Sequence, residues 1–311
     1  MRCPQTDTIS SWRVIVVAEK TLTQLKLSLN QISDREAESL AEALKVNEAL
    51  TQLILQSNEI SEIRGQSQAE ALKVNKALIQ LNLGHNRISD TECEALVEAL
   101  KVNETLIQLI LRSNEISDIG SEALAEALKV NEALTQLILQ SNEISEIRGQ
   151  SLAEALKVNK ALIQLNLGHN RISDTECEAL VEALKVNETL IQLILRSNEI
   201  SDIGSEALAE ALKVNKTLTQ LELRNNEISN RGAEGNIQVR LSNTQLDEYG
   251  TTATIQQSRN HAITPSVQQS NSFERDRTNP SPSFNTQTTY RSNQQQQEQT
   301  LTVESFFLNI T

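Results

Sequence analysis

The side chains of this sequence best suited to nucleophilic or metal chemistry are His85, His169 and His261, with Cys3, Cys93 and Cys177. His85 and His169 hold the same place in two copies of one segment, and so do Cys93 and Cys177. Their recurrence therefore reflects repetition and not convergence on a site. No spacing of serine, histidine and aspartate supports an acyl-transfer triad. None of the glycines precedes a lysine, which excludes a phosphate-binding loop of the Gly-x-x-x-x-Gly-Lys type. The two histidine–cysteine pairs are three repeats apart, roughly 14 Å at about 4.8 Å per strand, too far to share one ion. Cys93 and Cys177 fall where Ala37 stands in the first repeat, the place of a core thiol. The expectation is a chain that is not an enzyme, with no catalytic residue, no cofactor and no metal.

What positions every other residue is a repeat. Leu106, Leu109 and Leu111 are followed by Asn114 and Ile116, and this pattern recurs with its asparagine at Asn30, Asn58, Asn86, Asn114, Asn142, Asn170, Asn198 and Asn226. A fixed period of this length marks an architecture in which each unit buries its apolar face only against its neighbours. Within one unit, Leu109 and Leu111 alternate with Gln108, Ile110 and Arg112, as in a strand with one buried face. Asn114 suits a turn, because a buried amide satisfies backbone groups that have no ladder. Ala123, Leu124, Ala127 and Leu128 then lie at helical spacing, with Glu122 and Glu126 opposite. Asn131 follows the helix, where a left-handed C-terminal residue is expected. The prediction is an α/β solenoid of strand–turn–helix coils.

Parallel strands stack at about 4.8 Å while helices need 8–10 Å. The solenoid must therefore curve into a horseshoe with the strands on its concave face and the helices on the convex one. The outward strand positions are then fixed. The first is glutamine in every unit, as at Gln108 and Gln192. The second runs Lys26, Ile54, Asn82, Ile110, Ile138, Asn166, Ile194, Glu222. The third runs Ser28, Gln56, Gly84, Arg112, Gln140, Gly168, Arg196, Arg224. Exposed isoleucine beside arginine on a concave sheet predicts a protein-binding site formed by Ile54, Gln108, Ile110, Arg112, Ile138, Gln192, Ile194, Arg196, Glu222 and Arg224. No Phe, Trp or Tyr occurs between Val14 and Glu248, so that site lacks the aromatic anchors that usually dominate binding.

The formal charge is −13, and since both ends are nearly balanced, the excess falls on the repeats. An acidic solenoid without a basic stripe argues against nucleic acid and anionic membrane as partners. Nothing in the sequence reads as a signal peptide or a membrane span. Scarce, odd-numbered cysteine fits a reducing, cytoplasmic setting. The sequons at Asn103, Asn187 and Asn215 follow the repeat's own Asn-x-Thr wording.

Three domains are expected: an N-terminal segment over 1–21, the solenoid of eight coils over 22–243, and a tail over 244–311. Trp12 and the apolar run from Arg13 to Val17 suggest a partial cap. The eighth coil lacks helix leucines around Gly232, and Ile237, Val239 and Leu241 alternate as an irregular closing strand. The tail, rich in Gln, Asn, Ser and Thr, cannot bury enough apolar surface to offset chain entropy and reads as disordered. Residues 45–128 and 129–212 are one sequence twice over, differing only at Gln68 and Leu152. That place belongs to the inward face of the helix, where Leu40, Leu96, Leu124, Leu180 and Leu208 stand. Gln68 therefore predicts a weak point.

Residues 106–131 resemble the ribonuclease-inhibitor class of leucine-rich repeat. The Ala-Leu-Lys-Val-Asn-x-Thr-Leu wording is most similar to the repeat regions of NOD-like receptors. The resemblance covers residues 22–232 and implies a horseshoe used for recognition, a binding module or adaptor. The receptors' nucleotide-binding module has no counterpart in the residues present. The same class also resembles Ran GTPase-activating protein, which implies as an alternative a regulator that stimulates a small GTPase. That family carries a strongly acidic segment after its repeats, where the tail here is nearly neutral.

Overall fold

The computed structural model describes residues 21–61, 65–145, 149–229 and 254–256. Trp12 and the run from Arg13 to Val17, the closing strand at Ile237–Leu241 and the remainder of the tail lie outside the described residues. The chain divides into two units, 1–261 and 262–311, and everything described belongs to the first.

Eight strands, β1 (Gln24–Lys26), β2 (Gln52–Ile54), β3 (Gln80–Asn82), β4 (Gln108–Ile110), β5 (Gln136–Ile138), β6 (Gln164–Asn166), β7 (Gln192–Ile194) and β8 (Gln220–Glu222), form one parallel sheet in sequence order. Each glutamine faces the next, Gln24 with Gln52 and on to Gln192 with Gln220, so the register shifts by one repeat at every step. Between the strands lie seven helices among the described residues: α1 (Asp34–Leu44), α2 (Gly65–Val74), α3 (Asp90–Leu100), α4 (Asp118–Leu128), α5 (Gly149–Val158), α6 (Asp174–Leu184) and α7 (Asp202–Val214). This is the expected leucine-rich-repeat horseshoe of alternating strands and helices. A further strand, β9 (Thr254–Gln256), pairs antiparallel with β8. It falls within 244–311, where composition alone predicts no packed structure. The unpaired backbone of β8 supplies donors and acceptors that composition does not reveal.

The leucines do as the pattern demands. Leu106, Leu109 and Leu111 from the strand side meet Leu124 and Leu128 from the helix side, all at most 2 % exposed. Equivalent leucines recur from coil to coil, with Gln68 in place of one, and merge into one continuous core. Each buried leucine contributes roughly 1.5–3 kcal/mol. Cys93 and Cys177 are fully buried in the place of Ala37, and Leu152 and Gln68 are both buried in the helix slot.

Asparagine joins coil to coil twice over. Asn114 Nδ2 donates to Leu111 O (2.9 Å) in its own turn and to Leu83 O (3.1 Å) in the coil before. Its Oδ1 accepts from the backbone of Ile88. The second ladder corrects the reading of Asn131 as a left-handed cap. Helix α4 ends on Lys129 in right-handed geometry, and Asn131 is not among the residues of positive φ. Its amide instead donates to Leu100 O (2.7 Å) and Asn103 O (3.0 Å), while its Oδ1 accepts from Ala133 and Leu134 N–H. The left-handed residue sits elsewhere, just before the turn asparagine: Leu29, Ser57, His85, Ser113, Ser141, His169, Ser197 and Asn225 all have φ between 53 and 59°.

A carboxylate makes a third link. Asp90 opens α3, yet its Oδ1 accepts from Ser117 N (2.8 Å) and Gly120 N (2.9 Å), at the start of α4. Asp174 does the same for Ser201 and Gly204. The negative charge lies at a helix N-terminus, where orphan N–H groups and the helix dipole favour it. Among the described residues no helix is long and apolar enough to cross a membrane.

Candidate functional site

The concave sheet brings the named residues together in two copies of one arrangement. In the first, Asn82 Nδ2 donates to Gln56 Oε1 (3.3 Å), and Asn82 Oδ1 accepts from Gly84 N (2.9 Å). The stem of Arg112 lies across Gly84, so close that a Cβ there would sit 2.9 Å from Arg112 Cγ. In the second copy Asn166 binds Gly168 N (3.0 Å), and Arg196 lies across Gly168 with the corresponding gap at 3.0 Å. The glycines thus let each arginine lie flat on the neighbouring coil. Arg112 Nε is buried without a hydrogen-bond partner, so part of that guanidinium has been taken from water with nothing in exchange.

The isoleucines differ among themselves. Ile54, Ile110 and Ile138 are half-buried, with Ile110 and Ile138 paired across β4 and β5. Ile194 is 9 % exposed and presents almost no surface, which corrects its place among the exposed residues. It lies between Asn166 and Glu222, and Glu222 Oε1 pairs with Arg224 Nη2 at 2.5 Å. Gln108 Nε2 reaches Gln136 Oε1 at 2.5 Å, and Gln52 bonds Gln80. These amides stack in pairs along the strands.

Arg196 and Arg224 come close enough to His169 to act on it. Partial burial, then the charges of Arg196 and Arg224, hold the imidazole below its ordinary range. The thiols offer no chemistry there: burial first, then Asp174 and Glu176, push Cys177 up to about 12, and Cys93 is raised by burial, then Asp90 and Glu92. Among the described residues, no group of three or more His, Cys, Asp or Glu side chains converges on a point that could hold a metal.

Two rows of exposed apolar residues lie off the concave face. Val46, Val74, Val102, Val130, Val158, Val186 and Val214, each at or just past a helix C-terminus, are 52–66 % exposed. Ile79, Ile107, Ile163 and Ile191, just before their strands, are 37–45 % exposed. Both rows flank the connections running from helix to strand, on one flank of the solenoid. Sequence reading followed strand alternation and passed over them. The signal was the unvarying Lys-Val-Asn, whose valine stands outside both the helical and the strand pattern.

Six segments, residues 19–41, 74–97, 102–125, 158–181, 186–209 and 214–235, match the family model described as Leucine Rich repeat. The coils are leucine-rich repeats. Among curated proteins, nothing matches. Among solved structures, the chain is similar to the leiomodin-1 actin-binding site 2, at 22% identity over 50% of this chain and 76% of that one, with a TM-score of 0.37. It is also similar to internalin C2 from Listeria monocytogenes str. 4b F2365, at 21% identity over 71% and 84% of the two chains, with a TM-score of 0.46.

Proposed function

We propose that this chain of leucine-rich repeats is a non-enzymatic recognition module of the cytoplasm, holding a protein partner against its concave sheet. The observation that carries this reading is the doubled arrangement in which Arg112 and Arg196 lie across Gly84 and Gly168. Arginines whose stems pack on the neighbouring coil, on the sheet that carries half-buried Ile110 and Ile138, combine guanidinium donors with apolar surface, which suits an acidic segment with aliphatic side chains. The contact residues are Ile54, Gln108, Ile110, Arg112, Ile138, Gln192, Arg196, Glu222 and Arg224, with Ile194 acting from beneath. The likeness of the repeat wording to NOD-like receptors supports a recognition role. Without aromatic anchors, binding rests on arginine, isoleucine and area, and is weak or multivalent.

The test is capture of the main partner by immobilised protein. Ile110→Glu combined with Arg196→Glu abolishes capture, while exposed convex controls, Glu94→Lys with Glu178→Lys, preserve it. Melting changes little, since surface substitutions usually fall within about 0.5 kcal/mol each. Capture lost with the convex variants and kept with the concave ones overturns the assignment.

A further inference from the structure

Between the valine and isoleucine rows of the flank runs a row of charges, one per coil and all exposed. At the helix ends each lysine is paired within the chain by the glutamate three residues before it, as Lys101 by Glu98 (2.7 Å) and Lys185 by Glu182 (2.6 Å). The flank row has no ion pair among the described residues. Its order is Glu48, Lys76, Glu104, Glu132, Lys160, Glu188, Lys216.

Laid against itself in reverse, this row pairs acid with base at every place but one. Glu48 meets Lys216, Lys76 meets Glu188, and Glu104 meets Lys160. Only Glu132, at the centre, meets its own copy. The isoleucine row obeys the same symmetry, Ile79 falling opposite Ile191 and Ile107 opposite Ile163, and the valines recur in every coil. A surface complementary to its own reverse is what a two-fold, isologous contact requires.

We propose that this flank is the interface of a homodimer, with the two-fold axis passing through the coil of Val130 and Glu132. With the axis along the radius of the arc, one solenoid lies over the other with the coil order reversed and the curvature matched. Valine and isoleucine supply the apolar area, and the six opposite-charge pairs fix direction and register. The band is at most about 16 Å wide over five residues of chain. Along an arc of roughly 30–35 Å it buries about 500 Å² a side, the low end for specific association. The dimer is therefore reversible, and it leaves both concave faces open on the same side. A second copy is favoured over an unrelated partner because an unrelated surface would not require the row to complement its own reverse.

Sedimentation velocity of the full chain over a dilution series tests this. The wild-type chain passes from monomer to dimer as concentration rises. Glu104→Lys alone and Lys160→Glu alone each turn two attractive pairs into repulsive ones and raise the dissociation constant about tenfold or more. The two together restore it. Because the single changes shift net charge in opposite directions, a general charge effect cannot weaken both. Glu132→Gln removes the one repulsive contact and tightens the dimer. Circular dichroism shows each variant folded, as these side chains are exposed. A chain that stays monomeric throughout, or self-association insensitive to the swaps, overturns the proposal. The concave site is independent of it: Ile110→Glu with Arg196→Glu leaves dimerisation unchanged.

Discussion

The side-chain amide of Asn103 donates to the carbonyl oxygen of Leu72, in the preceding coil, at 2.7 Å. The same side chain accepts from Thr105 N (3.0 Å) and Leu106 N (2.8 Å), and it is 2 % exposed. One residue thus satisfies backbone groups of two coils where neither sheet nor helix can. Nδ2 is also the atom to which an N-linked sugar is joined. Asn103→Ala leaves these buried groups without partners and lowers stability by about 2–4 kcal/mol in denaturant unfolding. Expressed through a secretory route, the folded chain carries no glycan at Asn103, Asn187 or Asn215 by mass spectrometry. A glycan on the native protein would contradict the ladder.

Gln68 is 7 % exposed and makes no side-chain hydrogen bond among the described residues, where its counterpart Leu152 is 2 % exposed. Gln68→Leu removes a buried amide and fills an apolar slot, and it raises stability by about 1–3 kcal/mol. Leu152→Gln lowers it by a similar amount. Urea unfolding of both variants checks the pair. Two unmoved midpoints would mean that this slot does not face the core.

These two cases mark how far the sequence can be read. Gln68 and Leu152 were legible because burial on a helix follows one period, and a single polar residue breaks it visibly. The strand leucines and the turn asparagines were legible for the same reason. Asn131 was misread, because local rules offer Asn after a helix as a left-handed cap, and a bond to the coil before is not local. Ile194 escaped for a related reason: alternation says which face a side chain leaves by, but not what closes over it. The flank valines were passed over because they belong to neither apolar face: Lys-Val-Asn repeats in the sequence, but exposure at a helix end is read only from the fold.

Leu29 has φ 59° and is 83 % exposed, so its backbone is strained and its side chain contributes little packing. Asn225 occupies the equivalent place in the last coil. Leu29→Asn relieves the steric cost of a left-handed leucine and raises stability by about 0.5–1 kcal/mol. Ser113→Val places a β-branched residue at φ 53° and lowers it by about 1–2 kcal/mol. Thermal melts read both signs at once.

The Cys177 thiol is raised to about 12 by burial and by nearby Asp174 and Glu176. The folded state therefore holds its proton where the unfolded state, near 8.5, has released it. Between about pH 8.5 and pH 12 the unfolded chain binds fewer protons, so stability falls as pH rises through that window and is unaffected below it. Cys177→Ala flattens that part of the pH dependence. Alkylation by iodoacetamide at neutral pH, where the thiolate is absent from the fold, modifies Cys93 and Cys177 only after denaturation. Rapid labelling of both in the native chain would contradict their burial.

Gly120 lies in the first turn of α4, where helix propensity alone favours alanine over glycine by up to about 1 kcal/mol. The neighbouring coil reverses that sign. A Cβ on Gly120 would stand 2.5 Å from Asp90 Oδ1, 2.9 Å from Ile116 Cγ2 and 3.3 Å from Cys93 Cβ. The Asp90 carboxylate cannot retreat without losing Ser117 N and Gly120 N, which it binds at 2.8 and 2.9 Å. Gly120→Ala therefore lowers stability by about 1–3 kcal/mol, as overpacking of a filled site does. Gly204→Ala, facing Asp174 Oδ1 in the second copy, behaves alike. Asp90→Ala on its own also destabilises, by freeing N–H groups at a helix start. In the double variant, removal of Asp90 empties the space the new methyl needs. The combined loss is smaller than the two single losses together, with a coupling of about 0.5–2 kcal/mol. Strict additivity in that cycle would show that the methyl and the carboxylate do not compete, and that glycine stands there for another reason.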